Sequence, residues 1–89
     1  MADQYLTIST IAADDAMQRR VAACAAQQGE PNSLWWAQQN NYEWAAAPGW
    51  GAKWDSAVAS DVEDPGSDPA VITDGDILAV VQPMVTAPE

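Results

Sequence analysis

Thirteen acidic side chains, one cysteine and five tryptophans are the residues of this 89-residue chain with chemistry to offer. Histidine is absent, so Cys24 has no imidazole to activate it and no Ser-His-Asp system can be assembled. Zinc lacks its usual nitrogen and sulfur ligands for the same reason. Six of the acids, Asp61, Glu63, Asp64, Asp68, Asp74 and Asp76, lie close together and raise the question of calcium. An EF-hand loop needs acids at its positions 1, 3 and 5, glycine at 6 and glutamate at 12. Counted from Asp61, positions 5 and 12 are Pro65 and Ile72, so two ligand positions fail. Glycoside chemistry needs two carboxyls held a fixed distance apart, and a Pro/Gly-interrupted run has no means of holding them. No catalytic, cofactor-binding or metal-ligating set emerges, and the chain reads as non-enzymatic and cofactor-free.

Charge narrows the partners. Arg19, Arg20 and Lys53 are the only basic side chains, giving a net charge of −10 and an isoelectric point near 4.1. That is the wrong sign for direct binding to nucleic acid or an anionic membrane. A DNA mimic would spread carboxylates along a face, whereas almost half of these are confined to positions 61–76. No run approaches the roughly 20 apolar residues of a membrane span. Met1-Ala-Asp-Gln-Tyr5 has no positive charge with which to open a leader segment, so a soluble chain is expected. A single cysteine fits a reducing compartment, with Cys24 acting as a small apolar residue.

Tryptophan is the stronger oddity. Trp35, Trp36, Trp44, Trp50 and Trp54 fall within twenty positions of a chain that has no phenylalanine. They have three possible uses: bulk for the core, a contact surface, or a sugar-stacking platform beside Gln38, Gln39, Asn40 and Asn41. Adjacent Trp35 and Trp36 cannot both face inward on one helix, and tryptophan is enriched at binding hot spots. All five are therefore the candidate interface residues.

The elements that position them are helical. Alanine density and a stripe of Leu6, Ala13, Met17, Val21 and Cys24 predict a helix over 7–28, with Asp15 and Arg19 paired at i,i+4 and Gly29 and Pro31 ending it. Trp-rich helices follow over 33–47 and 50–60. The second of these places Trp50, Trp54, Ala57 and Val58 on one face. A solvated acidic linker is expected over 61–69. Thr73-Asp-Gly-Asp76 has capping-box spacing, and Ile72 and Ile77 are placed for a hydrophobic staple. The last helix should span 74–82, with Pro83 limiting it. Residues 1–89 thus form a single small domain, mostly α. It is an irregular arrangement of three to four helices with a long acidic turn before the last.

Three stretches in this order carry a resemblance: Met17-Gln-Arg-Arg-Val-Ala-Ala23, Trp50-x-x-x-Trp54 running into Ala57-Val-Ala59, and, after an Asp-Pro turn, Thr73-Asp-Gly-Asp-Ile-Leu-Ala-Val-Val81. The chain resembles small acidic structural proteins of tailed bacteriophages that infect high-GC, actinobacterial-type hosts. The resemblance implies a non-enzymatic component of the virion's head, neck or tail, assembled in the host cytoplasm and present in multiple copies. Its expected partners are copies of itself, as a homo-oligomer, and other virion proteins. Helix packing and tryptophan anchors would make the contacts. The charge alone suggests a different class, an acidic inhibitory module that blocks a host nucleic-acid-binding enzyme.

Overall fold

The fold is built around one alanine-rich helix whose two long sides are both occupied. In the structure, a computed structural model, residues 8–62 and 65–86 are described. Leu6 and Thr7 of the expected first helix and Glu63 and Asp64 of the acidic run lie outside the described residues, as does the side chain of Val58. Among the described residues six α-helices follow one another without a strand. They are α1 (Ile8–Ala13), α2 (Asp15–Gln27), α3 (Ser33–Gln39), α4 (Asn41–Ala45), α5 (Gly51–Ala59) and α6 (Asp74–Thr86). Short 3-10 turns occupy Pro48–Trp50 and Pro65–Ser67. The small, mostly α domain is as expected. The helices outnumber the three to four expected because two long ones are interrupted.

The first interruption is at Asp14. Aspartate is a poor residue inside a helix and a good one at its start, since its short carboxylate competes for nearby backbone N–H groups. Asp14 adopts an extended ψ of 116° and its Oδ1 accepts from the Ala16 N–H at 3.1 Å, which begins α2 afresh. Gln18 donates from Nε2 to the Ala12 carbonyl at 2.7 Å, so the broken end of α1 is satisfied. Ala13 is consequently exposed instead of lying on the core stripe, while Met17, Val21 and Cys24 are buried as expected. At the other end Gly29 takes a φ of +93°, with Glu30 N–H donating to Ala25 and Gly29 N–H to Ala26. This is a Schellman stop. The second interruption is at Asn40, whose side chain donates to the Trp36 carbonyl and separates α3 from α4.

α2 packs against α3 on one side and α6 on the other, while α1 lies on α4. Their shared core contains Ile11, Met17, Val21, Ile72, Ile77 and Val81, closed at one end by Trp44, Trp50 and Trp54. Trp50 meets Trp44 edge to face at 6.4 Å between ring centroids and leans on Trp54 at 5.5 Å. Burying one tryptophan removes about 200 Å² from water, worth roughly 5 kcal/mol before entropy is counted. The Trp44 indole donates to the Ala37 carbonyl at 2.8 Å. The indole N–H groups of Trp50 and Trp54 are buried without an acceptor among the described residues, at about 1–3 kcal/mol each. Burial outweighs that cost, so the trio remains inside.

Two expectations about the second half need correction. The acidic stretch 61–69 is not solvated throughout, because Pro65 and Gly66 are buried. Gly66 allows this approach to α2: a Cβ on it would lie 2.7 Å from Asp14 Oδ2 and 3.1 Å from Met17 Cβ. Arg20 secures the same loop from α2, its guanidinium donating to the Gly66 carbonyl at 2.8 Å and the Ile72 carbonyl at 2.7 Å. The last helix also continues past Pro83 to Thr86 instead of stopping at 82. Proline costs a hydrogen bond there, but the extra turn packs Met84 and Val85 against the core.

Replacing Arg20 with alanine strips charged donors from two carbonyls in a covered loop, and the expected loss is about 3 kcal/mol by urea unfolding. Arg19→Ala, which removes only an exposed pair, should leave the unfolding midpoint close to that of wild type. Equal effects from the two variants would contradict this assignment. Gly66→Ala should lower stability by about 1–3 kcal/mol in the same assay through its clash with Asp14 and Met17.

Candidate functional site

The five tryptophans do not act as one surface. Trp44, Trp50 and Trp54 are core residues with 0%, 1% and 7% of their surface exposed, so their expected role as interface residues is corrected. The reason is bulk: α2 buries only Met17, Val21, Ala22, Cys24 and Ala25, and the large rings supply core volume that these residues do not. Trp36 is half-buried and packs against that core. Trp35, its neighbour, turns outward and is 60% exposed. Adjacent positions on a helix point about 100° apart, so when Trp36 turns inward Trp35 must turn out.

Trp35 is not isolated. Tyr42, seven residues on, is 56% exposed, and Leu34 is 39% exposed. Asn40 N–H donates to Trp36 at the end of α3, and Trp44 N–H donates to Asn40 at the start of α4, so the two helices meet at Asn40. Trp35 of α3 and Tyr42 of α4 are thus exposed on either side of the Asn40 break, with exposed Gln38 and Gln39 between them in sequence. Tyr42 and Leu34 were not singled out by sequence.

The polar groups are committed elsewhere. All three cations are in ion pairs: Arg19 with Asp15 at 2.9 Å, Arg20 with Asp74 at 3.0 Å and Lys53 with Asp76 at 3.0 Å. Two of these pairs fix the start of α6. There Thr73 N–H donates to Asp76 Oδ2 at 3.0 Å and Asp76 N–H donates to Thr73 Oγ1 at 3.1 Å, the reciprocal capping box. Ile72 and Ile77 beneath it are both fully buried, as the staple requires. The Thr73 N–H, and next the Lys53 ammonium, hold the Asp76 carboxyl below its usual range. Cys24 is buried, and desolvation, followed by the charge of Asp74, pushes its thiol up despite the opposing Arg20. It therefore stays protonated and is a poor nucleophile.

Other places offer less. A shallow groove of about 440 Å³ between α5 and the following loop is lined by Ala52, Lys53, Ser56, Ala57, Val62 and Val71, among others. Among the described residues no polar or charged residue is buried, and no three His, Cys, Asp or Glu side chains converge on a metal position. No helix of the described residues is long and apolar enough to cross a membrane. The exposed aromatics of α3 and α4 are thus the most distinctive surface feature the described residues present.

Asp76 gives this arrangement a pH dependence. Because its carboxyl titrates below the unfolded value of about 3.9, its stabilising effect is complete above that pH and is lost as pH falls through the folded value. Asp76→Asn should therefore melt below wild type at pH 7, with the difference narrowing toward pH 3. A gap that stays constant between those pH values would contradict the assignment. Comparison with protein-family models, with curated proteins and with solved structures found no match to this chain.

Proposed function

We propose that this chain is a non-enzymatic structural component of a tailed-bacteriophage virion, in the head, neck or tail. It acts through helix packing and an outward aromatic anchor. The observation that carries the contact role is the exposure of Trp35 at 60%, with Tyr42 of the next helix at 56%, in a chain whose other tryptophans turn inward. Leaving such rings in water forgoes several kcal/mol of burial, a cost that a binding partner recovers. The sequence resemblance to small acidic virion proteins supplies the setting. On this reading the neighbours are other virion proteins and further copies of the chain. The protein resides in the virion after assembly in the host cytoplasm, uses no cofactor and touches no nucleic acid directly.

The committed state of its polar groups supports a contact role over chemistry. Cys24 is buried, and two of the three ion pairs among the described residues clamp the start of α6. A net charge of −10 keeps unassembled chains apart and soluble. The second reading, an acidic inhibitor of a host nucleic-acid-binding enzyme, draws on the net charge of −10, with three basic side chains against thirteen acidic ones.

Quantitative mass spectrometry of purified particles from the encoding phage separates these readings. The chain should be present at a fixed multiple of a major virion protein. Trp35→Ala should fold with wild-type helicity yet be at least about tenfold depleted from particles, as loss of a hot-spot aromatic predicts. Absence from particles, or undiminished incorporation of the variant, contradicts the proposal. Recovery of the free chain with one host nucleic-acid-binding enzyme favours the inhibitor.

A further inference from the structure

We infer that Trp35 docks in the groove between α5 and its following loop on a second copy of this chain, so that copies join indole into groove, head to tail. The inference rests on the contact role just proposed for Trp35 and adds its receptor. One chain carries both halves of such a contact. Trp35 stands on α3 with 60% of its surface exposed. Trp44, Trp50 and Trp54 are consumed by the core and Trp36 packs against it, so Trp35 is the tryptophan left over. The groove holds about 440 Å³, is too open to enclose a small molecule, and is lined by Ala57, Val62 and Val71 together with Ser56, Ser60 and Lys53.

Size and chemistry match. An apolar cavity of about 150 Å³ already holds a benzene ring, so a groove of about 440 Å³ accepts the larger indole. Tryptophan brings an apolar body, one N–H donor and an electron-rich face. The groove sets valine and alanine against the first, serine hydroxyls against the second and an ammonium against the third. Lys53 stays 43% exposed while paired with Asp76, so its outer side is open to an incoming indole.

The placement of the two halves makes the contact heterologous. α3 packs on α2, whereas the groove adjoins the start of α6, where Lys53 meets Asp76. Indole and groove are different surfaces of one copy. A joined pair therefore keeps a free groove at one end and a free indole at the other, and it grows into an open row or a closed circle. The contact is also small, since Trp35 has roughly 150 Å² to bury against about 800 Å² per partner in a stable interface. Each copy brings a net charge of −10, so copies repel at low salt. Dilute chains are monomers for these reasons, and the contact becomes firm where an assembly holds many copies close together.

The test is sedimentation equilibrium of the full chain and two variants of unchanged net charge, each first checked for wild-type helicity by circular dichroism. Trp35→Ala removes the indole, and Ser56→Gln fills the groove from an exposed helix position. At high concentration the wild type should associate beyond the dimer, and more strongly as salt is raised. Either variant alone should associate at least about tenfold more weakly. An equal mixture of the two should recover dimers and grow no further, because one supplies the indole and the other the groove. A wild type that stays monomeric at high concentration, or that stops at the dimer, overturns the inference. So does Ser56→Gln associating like wild type, which puts indole against indole, or a mixture that associates no better than its components. Absence of the chain from particles contradicts the virion reading and leaves the sedimentation outcome standing, so the two failures are distinguishable.

Discussion

The second half of this chain is attached to the first by the guanidinium of Arg20. From α2 it reaches the Gly66 and Ile72 carbonyls, residues 46 and 52 positions away, and touches Asp74 at the start of α6. The ion pair itself contributes little, because the Asp74 side chain is 91% exposed and screened by solvent. The carbonyl bonds matter more, since they satisfy polar groups of a loop that folds against the buried Met17. A domain of this size has a stability of only about 5–10 kcal/mol, so a few kcal/mol at one residue is a large share.

With the loop tied down, α6 has one place to lie. Its capping box and staple set where it begins, Lys53 of α5 closes over Asp76, and Ile77, Val80 and Val81 complete the core beside α2. Gly49 then brings the Pro48–Trp50 turn close to Val80, where an added Cβ would sit 3.2 Å from the valine methyl. That closure buries Trp50 between Trp44 and Trp54. The rings needed for the core are used up there, and Trp35 is left on the outside. Which rings are buried and which is exposed is in this sense one allocation of tryptophan, decided by which positions face the core.

Local signals were legible in the sequence and distant ones were not. Thr73-x-x-Asp76 and the Gly29 stop depend on neighbours within five residues, and both appear as read. The adjacency of Trp35 and Trp36 showed that one ring had to face outward. The break at Asp14 is masked by Ala12, Ala13 and Ala16 around it, although two consecutive aspartates are what a new helix start prefers. Composition made the acidic stretch look solvated, because the arginine that draws it inward lies more than forty residues earlier. Pro83 was read as a stop by its local cost, which packing of Met84 and Val85 overrides. Nor could the burial of Trp44, Trp50 and Trp54 be separated from exposure without knowing where α6 returns.

The central claim is that Arg20 makes α6 and α2 one cooperative unit, and native-state hydrogen exchange tests it most directly. The amides of Ile77 to Val81 in α6 and of Val21 to Ala25 in α2 should exchange with one common free energy and one common dependence on denaturant. Exchange of the α6 amides through a separate opening, several kcal/mol easier and nearly independent of denaturant, would contradict it.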